Sequence, residues 1–266
     1  MFTKVRGGVE RVFGDASPKR REVTRQGRTW LFELPQFYED WTMMMAHFPA
    51  SASRVRRLLP STKLQPVQII PGLALVTVAA FEYRHAATLA PYNEVAMMIP
   101  VRFQAKSNPP LLPLLFPHWF TDLGFYIFRL PVTTQEACDI GIEIWGFPKF
   151  VADIKFHSEA GVRRCSLQYE GKHVLTLEHN IPVSEVDRSM DFLAYPVKDR
   201  EFLKTLVQTK ARYAERRLPF GASCTLGDHP IADELRGLGM WRYSFGRLYG
   251  TKAQSLLNGP SARVAM

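Results

Sequence analysis

The sequence lacks the signatures of several common protein classes. Its three cysteines, Cys138, Cys165 and Cys224, are widely spaced and form no CxxC pair, so neither a disulfide framework nor a zinc site is predicted. No GxGxxG string and no GxxxxGKS/T string occurs, which leaves nucleotide binding without local support. The GxSxG, HExxH and HxH patterns are absent as well, so the sequence indicates no serine hydrolase, no metal and no cofactor.

Long hydrophobic runs and a secretory signal are also missing. No apolar run approaches the roughly 20 residues of a membrane-spanning helix, and the first residues contain no apolar core with a cleavage site. Hydrophobic residues make up 46% and charged residues 22% of the 266 residues, which is typical of a globular protein with a substantial core. The expectation is a cytoplasmic protein without membrane contact.

Negative charge is scarce at the N-terminus. Residues 1–29 hold eight Lys and Arg against three acids, an excess of five within a chain whose net charge is +9. The simpler interpretation is a flexible basic extension over 1–29, followed by a single domain over 30–260 and a loose tail over 261–266. Nucleic-acid binding through the extension is the less favoured alternative, and it predicts an affinity that falls steeply with salt.

Most of the remaining sequence is typical of β-strands. Runs rich in Val, Ile, Ala and Phe occupy residues 67–83 and 94–103, and Pro100 indicates an edge strand or a bulge in the second run. Three later runs, VADIKFH, RRCSLQYE and HVLTLEHNI, are joined by short turns and predict an antiparallel meander. The fold class is therefore mainly β (α+β), without the βαβ alternation of a doubly wound fold.

A few helices are predicted between these strands. One begins after Ser51 or Ser53, and a second begins at Thr134 and ends near Trp145. Residues 199–217 are charged and show some helical periodicity of their apolar positions.

Lys149 stands out in the stretch IEIWGFPKFVADIKF. Its neighbours are Pro148, Phe150 and Val151, so burial there would penalise the charged ammonium and favour a reactive amine. The alternative is a surface lysine whose stem lies on Phe147 and Phe150 while the ammonium reaches water. Taken in isolation, the motif favours the surface lysine.

Two glutamates lie in apolar surroundings. Glu82 stands between Phe81 and Tyr83, and Glu94 precedes an apolar strand-like run. On composition alone, each is an outward-facing strand residue or a turn acid. A strand glutamate between aromatic residues is also the arrangement that would place a carboxyl group for proton transfer.

The GFPKF string, with the upstream Glu143 and Trp145, resembles the active-site segment of the acetoacetate decarboxylase superfamily, in which the lysine after Gly-aromatic-Pro forms a Schiff base with a keto substrate. FEY around Glu82 is similar to the strand with that family's first active-site glutamate. YNEVAMMIPVRF is similar to the segment with the second, here Glu94, and GASCTLGDHPIADEL is similar to a later strand and loop. The ordered match spans most of residues 30–260.

The resemblance implies a cone-like antiparallel β-barrel with a buried pocket, a few peripheral helices and assembly into a homo-oligomer. It also implies that Lys149 attacks a small-molecule keto substrate, that the protonated imine withdraws electrons from the adjacent bond, and that Glu82 and Glu94 handle protons or shape the pocket. The residues expected to line the pocket are Phe150, Trp145, Phe147 and Met97.

Two positions depart from the family's decarboxylase. Its second lysine, directly after the nucleophile, is replaced by Phe150, so a neutral amine would depend on burial or on other cations. The arginine of its first strand has no counterpart in FYEDWTMMM, which puts acetoacetate itself in question. Three functions stay open: a lyase that acts on a keto acid, an aldolase or dehydratase that uses the same lysine, and a barrel that binds an apolar ligand without turnover.

Overall fold

The computed structural model describes residues 18–216 and 219–266. Strands dominate this part of the chain, as the composition predicted. The strands are β1 (Lys19–Arg25), β2 (Arg28–Leu34), β3 (Gln36–Ser51), β4 (Leu64–Pro66), β5 (Gln68–Ile70), β6 (Leu73–Ala86), β7 (Tyr92–Phe103), β8 (Leu123–Val132), β9 (Lys149–Val151), β10 (Asp153–Glu159), β11 (Val162–Tyr169), β12 (Lys172–Asn180), β13 (Val186–Ala194), β14 (Val197–Lys198), β15 (Glu201–Arg216), β16 (Ala222–Leu226), β17 (Gly246–Leu257) and β18 (Ala262–Ala265).

Four short α-helices accompany the strands in the described residues. They are α1 (Ala52–Leu58), α2 (Leu112–Leu115), α3 (Gln135–Trp145) and α4 (Pro230–Gly237), with one turn of 3-10 helix at Pro117–Trp119. No helix in 18–216 or 219–266 has the length and apolar character needed to cross a lipid bilayer.

Seven strands close into a barrel. Their order is β7, β6, β3, β17, β15, β13 and β8, and pairing of β8 with β7 completes the ring. Neighbouring strands are antiparallel except for one parallel contact between β13 and β8. The mainly β architecture and the barrel implied by the resemblance are both confirmed.

The barrel wall separates two apolar cores because side chains alternate across each strand. On β3, Met43 and Met45 belong to the core inside the barrel, together with residues of α3. Met44 and Ala46 belong to the outer core. That core is covered by the sheet β10-β11-β12-β16, whose first three strands form the predicted meander, and by α4.

Helix α3 connects β8 to β9 and so places the motif that contains Lys149. The Ala137 N–H donates to the hydroxyl of the N-cap Thr134 at 3.4 Å. The helix ends at Gly146, whose φ of 68° is the left-handed conformation that glycine adopts at little cost. Strand β9 then runs parallel to β8. The predicted helix is confirmed at both ends.

One local prediction was wrong, and another was confirmed in one of its two alternatives. Residues 199–217, which showed helical periodicity, contain strand β15, in which Thr209, Ala211 and Tyr213 are buried in alternation. Pro100 was predicted to mark an edge strand or a bulge. It does not lie at an edge, because β7 pairs with β8 on one side and with β6 and then β4 on the other. The predicted irregularity does occur in β7, as a register shift between Met97 and Met98.

The predicted flexible extension and the predicted loose tail both contain paired strands where the structure describes them. Residues 1–17 of the basic extension lie outside the described residues, whereas β1 pairs with β2 in a hairpin that contacts α3. Near the C-terminus, β18 pairs with β15 instead of forming a loose tail.

Candidate active site

Lys149 is the first residue of β9, and its side chain is buried inside the barrel. It pairs with Leu130 of β8, and only 7% of its side chain is exposed. Its stem runs against Gly141 of α3, where an added Cβ would lie 2.5 Å from Lys149 Cδ and 2.6 Å from Cε. Glycine at this position therefore leaves the space that the stem occupies. The alternative of a lysine lying along the surface is wrong.

The Lys149 amine meets a buried carboxylate. Nζ donates to Oε2 of Glu94 at 2.7 Å, and the Glu94 side chain is 9% exposed. Glu94 faces the barrel interior from β7, where its backbone pairs with Phe81 of β6 and Val132 of β8. The contact joins a potential nucleophile to a potential base in a place where little water reaches either group.

Three tyrosines surround this ion pair. The hydroxyls of Tyr38 and Tyr92 are hydrogen-bonded at 3.0 Å, and the Tyr83 ring lies 4.5 Å from the Tyr38 ring and 4.7 Å from the Tyr92 ring, measured between centroids. Lys149 Nζ lies 5.6 Å from the Tyr92 ring centroid. Burial raises the pKa of all three phenols, and the negative charge of Glu94 raises it further. The phenols therefore stay neutral and can donate hydrogen bonds.

The pair and the tyrosines line one cavity. Together with its opening, the cavity encloses about 810 Å³ of space not occupied by atoms. Every one of the seven barrel strands contributes to its wall, and most of the contributing side chains are aliphatic, aromatic or methionine. Among the described residues that line it, Lys149 and Glu94 are the charged ones.

A sequence model of the acetoacetate decarboxylase (ADC) family matches residues 22–257. The chain belongs to the acetoacetate decarboxylase family. Comparison with curated protein sequences gives no match.

Solved structures share the fold of this family member. One acetoacetate decarboxylase has 16% sequence identity and a TM-score of 0.59, with 87% of this chain and 89% of that chain covered. The acetoacetate decarboxylase from Legionella pneumophila subsp. pneumophila str. Philadelphia 1 has 15% identity and a TM-score of 0.59, with 98% of each chain covered. The enduracididine biosynthesis enzyme MppR, complexed with pyruvate, has 14% identity and a TM-score of 0.53, with 96% of this chain and 93% of that chain covered.

Glu82 lies on the other face of the barrel wall in this member of the acetoacetate decarboxylase family. Because Phe81 and Tyr83 of β6 line the cavity, alternation directs the intervening glutamate outward. Its Oε2 accepts from Arg163 at 2.7 Å and from Arg84 at 3.0 Å. The structure thus brings Lys149 and Glu94 together and leaves Glu82 in a separate polar network, contrary to expectation.

Of the four residues expected to line the pocket, Phe147 does so. Met97 points into the outer core, whereas its neighbours Ala96 and Met98 on β7 face the cavity. Phe150 packs on Tyr169 with the ring centroids 4.6 Å apart.

Trp145 supports the wall from behind. Its ring centroid lies 6.1 Å from that of Phe147, and its indole N–H donates to the Asn258 carbonyl at 2.8 Å. The prediction that Met97, Phe150 and Trp145 line the pocket is therefore wrong, and their side chains pack outside it.

Sequence reasoning missed the tyrosines and Gly141. Tyr92 could have been found, since it lies two residues before Glu94 on a strand and so shares its face. Tyr38 and Tyr83 reach the cavity from β3 and β6, and their meeting depends on strand register. Gly141 has no sequence signal for its contact with Lys149, because that contact joins a helix to the following strand.

No metal centre accompanies the ion pair in 18–216 or 219–266, where no three His, Cys, Asp or Glu side chains are grouped to hold an ion. The three cysteines are free and buried. Burial raises the pKa of Cys224 to about 12 and also raises that of Cys138 and Cys165. They therefore persist as thiols and not as reactive thiolates.

Proposed function

We propose that this chain is an enzyme in which Lys149 forms a Schiff base with a carbonyl substrate. The observation that supports the proposal best is the contact of 2.7 Å between Lys149 Nζ and Glu94 inside an apolar cavity. A stable fold has little need of such a contact, since apolar side chains of similar size fill a core at least as well. An amine and a carboxylate at hydrogen-bonding distance are what imine chemistry needs.

The first step exchanges a proton within the pair. The Lys149 ammonium gives a proton to Glu94, and the neutral amine attacks the carbonyl carbon of the substrate. The C=O electron pair moves to oxygen, and protons relayed by Glu94 convert the adduct to a carbinolamine. Glu94 then protonates the hydroxyl, which leaves as water while the nitrogen lone pair forms the C=N bond. The products are a protonated imine, a Glu94 carboxylate and one water.

The second step uses the positive imine as an electron sink. It draws the electron pair of a bond at the adjacent carbon toward nitrogen and forms an enamine. Loss of CO₂, aldol cleavage and removal of a proton followed by dehydration all share this intermediate. Glu94 serves as base and, once protonated, returns a proton to the product, while the neutral phenols of Tyr38, Tyr83 and Tyr92 can donate hydrogen bonds in the cavity.

Reductive trapping tests the proposal. Incubation with a panel of ketones, aldehydes and keto acids in the presence of sodium borohydride is expected to add the mass of the reduced adduct at Lys149, located by peptide mass spectrometry. Lys149→Met should abolish the adduct, whereas Lys155→Met, at an exposed position of β10, should leave it unchanged. Failure to trap an adduct with any member of the panel would refute Schiff-base catalysis.

A barrel that binds an apolar ligand without turnover is the second candidate, and the apolar wall of the cavity favours it. In that case, ligands that raise the melting temperature of the wild type should raise that of Lys149→Met nearly as much, because no covalent bond contributes. Neither protein would then convert the ligand. Loss of both conversion and trapping in the variant alone supports the enzyme.

A further inference from the structure

The described residues that line the cavity around Lys149 provide no spare positive charge. Lys149 and Glu94 are the charged residues among the described ones that line it, and they neutralise each other. The guanidinium groups of Arg84 and Arg163 bind Glu82 on the opposite face of β6. A substrate carboxylate would therefore enter the cavity without a cation of its own.

Both places that such a carboxylate could take are unfavourable for imine formation. If it paired with the Lys149 ammonium in addition to Glu94, the second negative charge would favour the ammonium and oppose release of the proton from the nucleophile. If it lay elsewhere in the cavity, it would be desolvated by apolar walls and repelled by Glu94. The hydroxyls of Tyr38 and Tyr92 could hydrogen-bond to it, but they do not neutralise its charge.

The walls suit a different kind of molecule. Met43, Met45 and Met98 line the cavity together with Phe81 and Phe125. Methionine side chains adapt to irregular apolar shapes, and aromatic rings offer large apolar faces. These surfaces favour an alkyl or aromatic body over a small polar acid.

Building on the proposed function, we infer that the substrate is an uncharged ketone or aldehyde with an apolar body, and that the reaction breaks a C–H bond beside the carbonyl. After imine formation, the Glu94 carboxylate removes a proton from the carbon next to C=N. The C–H electron pair becomes the C=C bond of the enamine, and the C=N pair moves to nitrogen and neutralises it. Protonated Glu94 can reverse the step, so no oxidant or further reactant is required.

The test compares benzylacetone with the β-keto acid that yields benzylacetone on loss of CO₂. The two compounds carry the same phenyl and ketone groups and differ in the carboxylate. Each is incubated separately with the wild type and borohydride, and the rate of adduct formation at Lys149 is followed by mass spectrometry. CO₂ release is measured without borohydride and corrected for spontaneous loss with Lys149→Met. Benzylacetone is also incubated in D₂O, and its deuterium content is measured.

Trapping with benzylacetone should be about tenfold faster or more, because the acid brings an unpaired charge into the cavity. Deuterium should enter beside its carbonyl with the wild type and not with Lys149→Met. A trapping rate with the acid that equals or exceeds that of benzylacetone, with CO₂ release above background, would overturn the inference and leave the Schiff-base function intact. An absence of adducts with both compounds removes the proposed function and the inference with it.

A charge added to the cavity gives an independent measurement. Met43→Arg places a guanidinium on the inner face of β3. It is expected to lower the preference for benzylacetone, which is the ratio of its trapping rate to that of the β-keto acid. Ile70→Arg adds the same charge at a position that is 57% exposed and should leave the preference as in the wild type. Melting temperatures of both variants establish that they are folded. Should Met43→Arg fail to fold, the wild-type comparison decides the inference by itself.

Discussion

Lys149 and Glu94 form an ion pair that is almost closed off from water. An exposed pair of this kind contributes about 0–1 kcal/mol to stability, and a buried one must offset the loss of hydration of both charges. Removal of either partner leaves the other charge buried alone, at a cost of about 3–5 kcal/mol. Selection for stability would favour two apolar side chains here, so the pair is best explained by chemistry.

Glu94→Gln tests the proton transfer directly. An amide accepts a hydrogen bond from Lys149 but does not take its proton, so borohydride trapping should slow by roughly 10²–10⁴-fold at neutral pH. Glu82→Gln is the matched control, because Glu82 lies on the outer face with Arg163. Equal trapping rates in the two variants would contradict the role of Glu94, and melting temperatures would show whether either variant is misfolded.

Gly141→Ala separates positioning from stability. Alanine in a helix is favoured over glycine by about 0.5–1 kcal/mol, but its Cβ would lie 2.5 Å from Lys149 Cδ and displace the stem. The variant is expected to trap substrate more slowly and to gain little or no stability. Gly237→Ala, at the end of α4 with nothing near the added Cβ, should leave trapping unchanged. Unaltered trapping in Gly141→Ala would mean that the stem has room to move.

Helix α3 is held against the β1-β2 hairpin through a buried acid. Asp139 is 1% exposed and accepts from Arg28 Nε at 3.1 Å, Trp30 Nε1 at 3.1 Å and Gln135 Nε2 at 2.8 Å. Burial opposes ionisation of this carboxyl, but the three hydrogen bonds outweigh burial and lower its pKa. Basic residues that the sequence placed in a solvated extension thus fix the helix that carries Gly141.

Asp139→Asn should remove one source of acid sensitivity. Because the folded-state pKa is lowered, the stability contributed by ionised Asp139 is present above the ordinary carboxyl value near pH 4 and is lost as pH falls through the lower folded value. Near neutral pH the variant should be less stable by about 1–3 kcal/mol, and its stability should fall less steeply below about pH 4. Urea unfolding across this pH range measures both effects. If the stability of the variant and that of the wild type changed equally with pH, the assignment to Asp139 would be contradicted.

Elements with local signals could be predicted from sequence, and elements defined by distant partners could not. Helix α3 was predicted because Thr134 and Gly146 mark its ends through contacts within the helix. The helical periodicity of the β15 sequence was misleading. Strand β15 pairs with β13 on one side and β17 on the other, and this pairing overrides the local preference. Glu94 and Lys149 were found from a sequence resemblance, whereas the outward direction of Glu82 depends on the register of β6.

At the scale of the whole molecule, the barrel and its covering sheet share a core that contains a neutral histidine. His179 of β12 is 2% exposed, and its ring centroid lies 5.3 Å from that of Tyr249 on β17. Burial lowers its pKa to about 4, an effect that the hydrogen bond to the Asn180 carbonyl only partly opposes. Protonation of this ring would place a charge between the two layers.

The stability of the molecule should therefore fall in mild acid. Between the ordinary histidine value near 6.5 and the folded value of about 4, the unfolded chain binds the proton and the folded chain does not, so stability rises with pH over this window. Over this window, protonation of His179 in the unfolded chain should lower the free energy of unfolding by about 3 kcal/mol. Urea unfolding at about pH 7 and about pH 4.5 should show a smaller difference for His179→Leu than for the wild type. An unchanged difference would exclude His179 as the source.

The ion pair in the barrel has a consequence for the cavity as a whole. A proton that passes between the amine and the carboxylate redistributes charge without adding or removing any, so the chamber is electroneutral before and after the exchange. Entry of an uncharged guest would likewise leave the net charge of the chamber unchanged. In the proposed reaction, the pair would supply both the acid and the base of the first turnover.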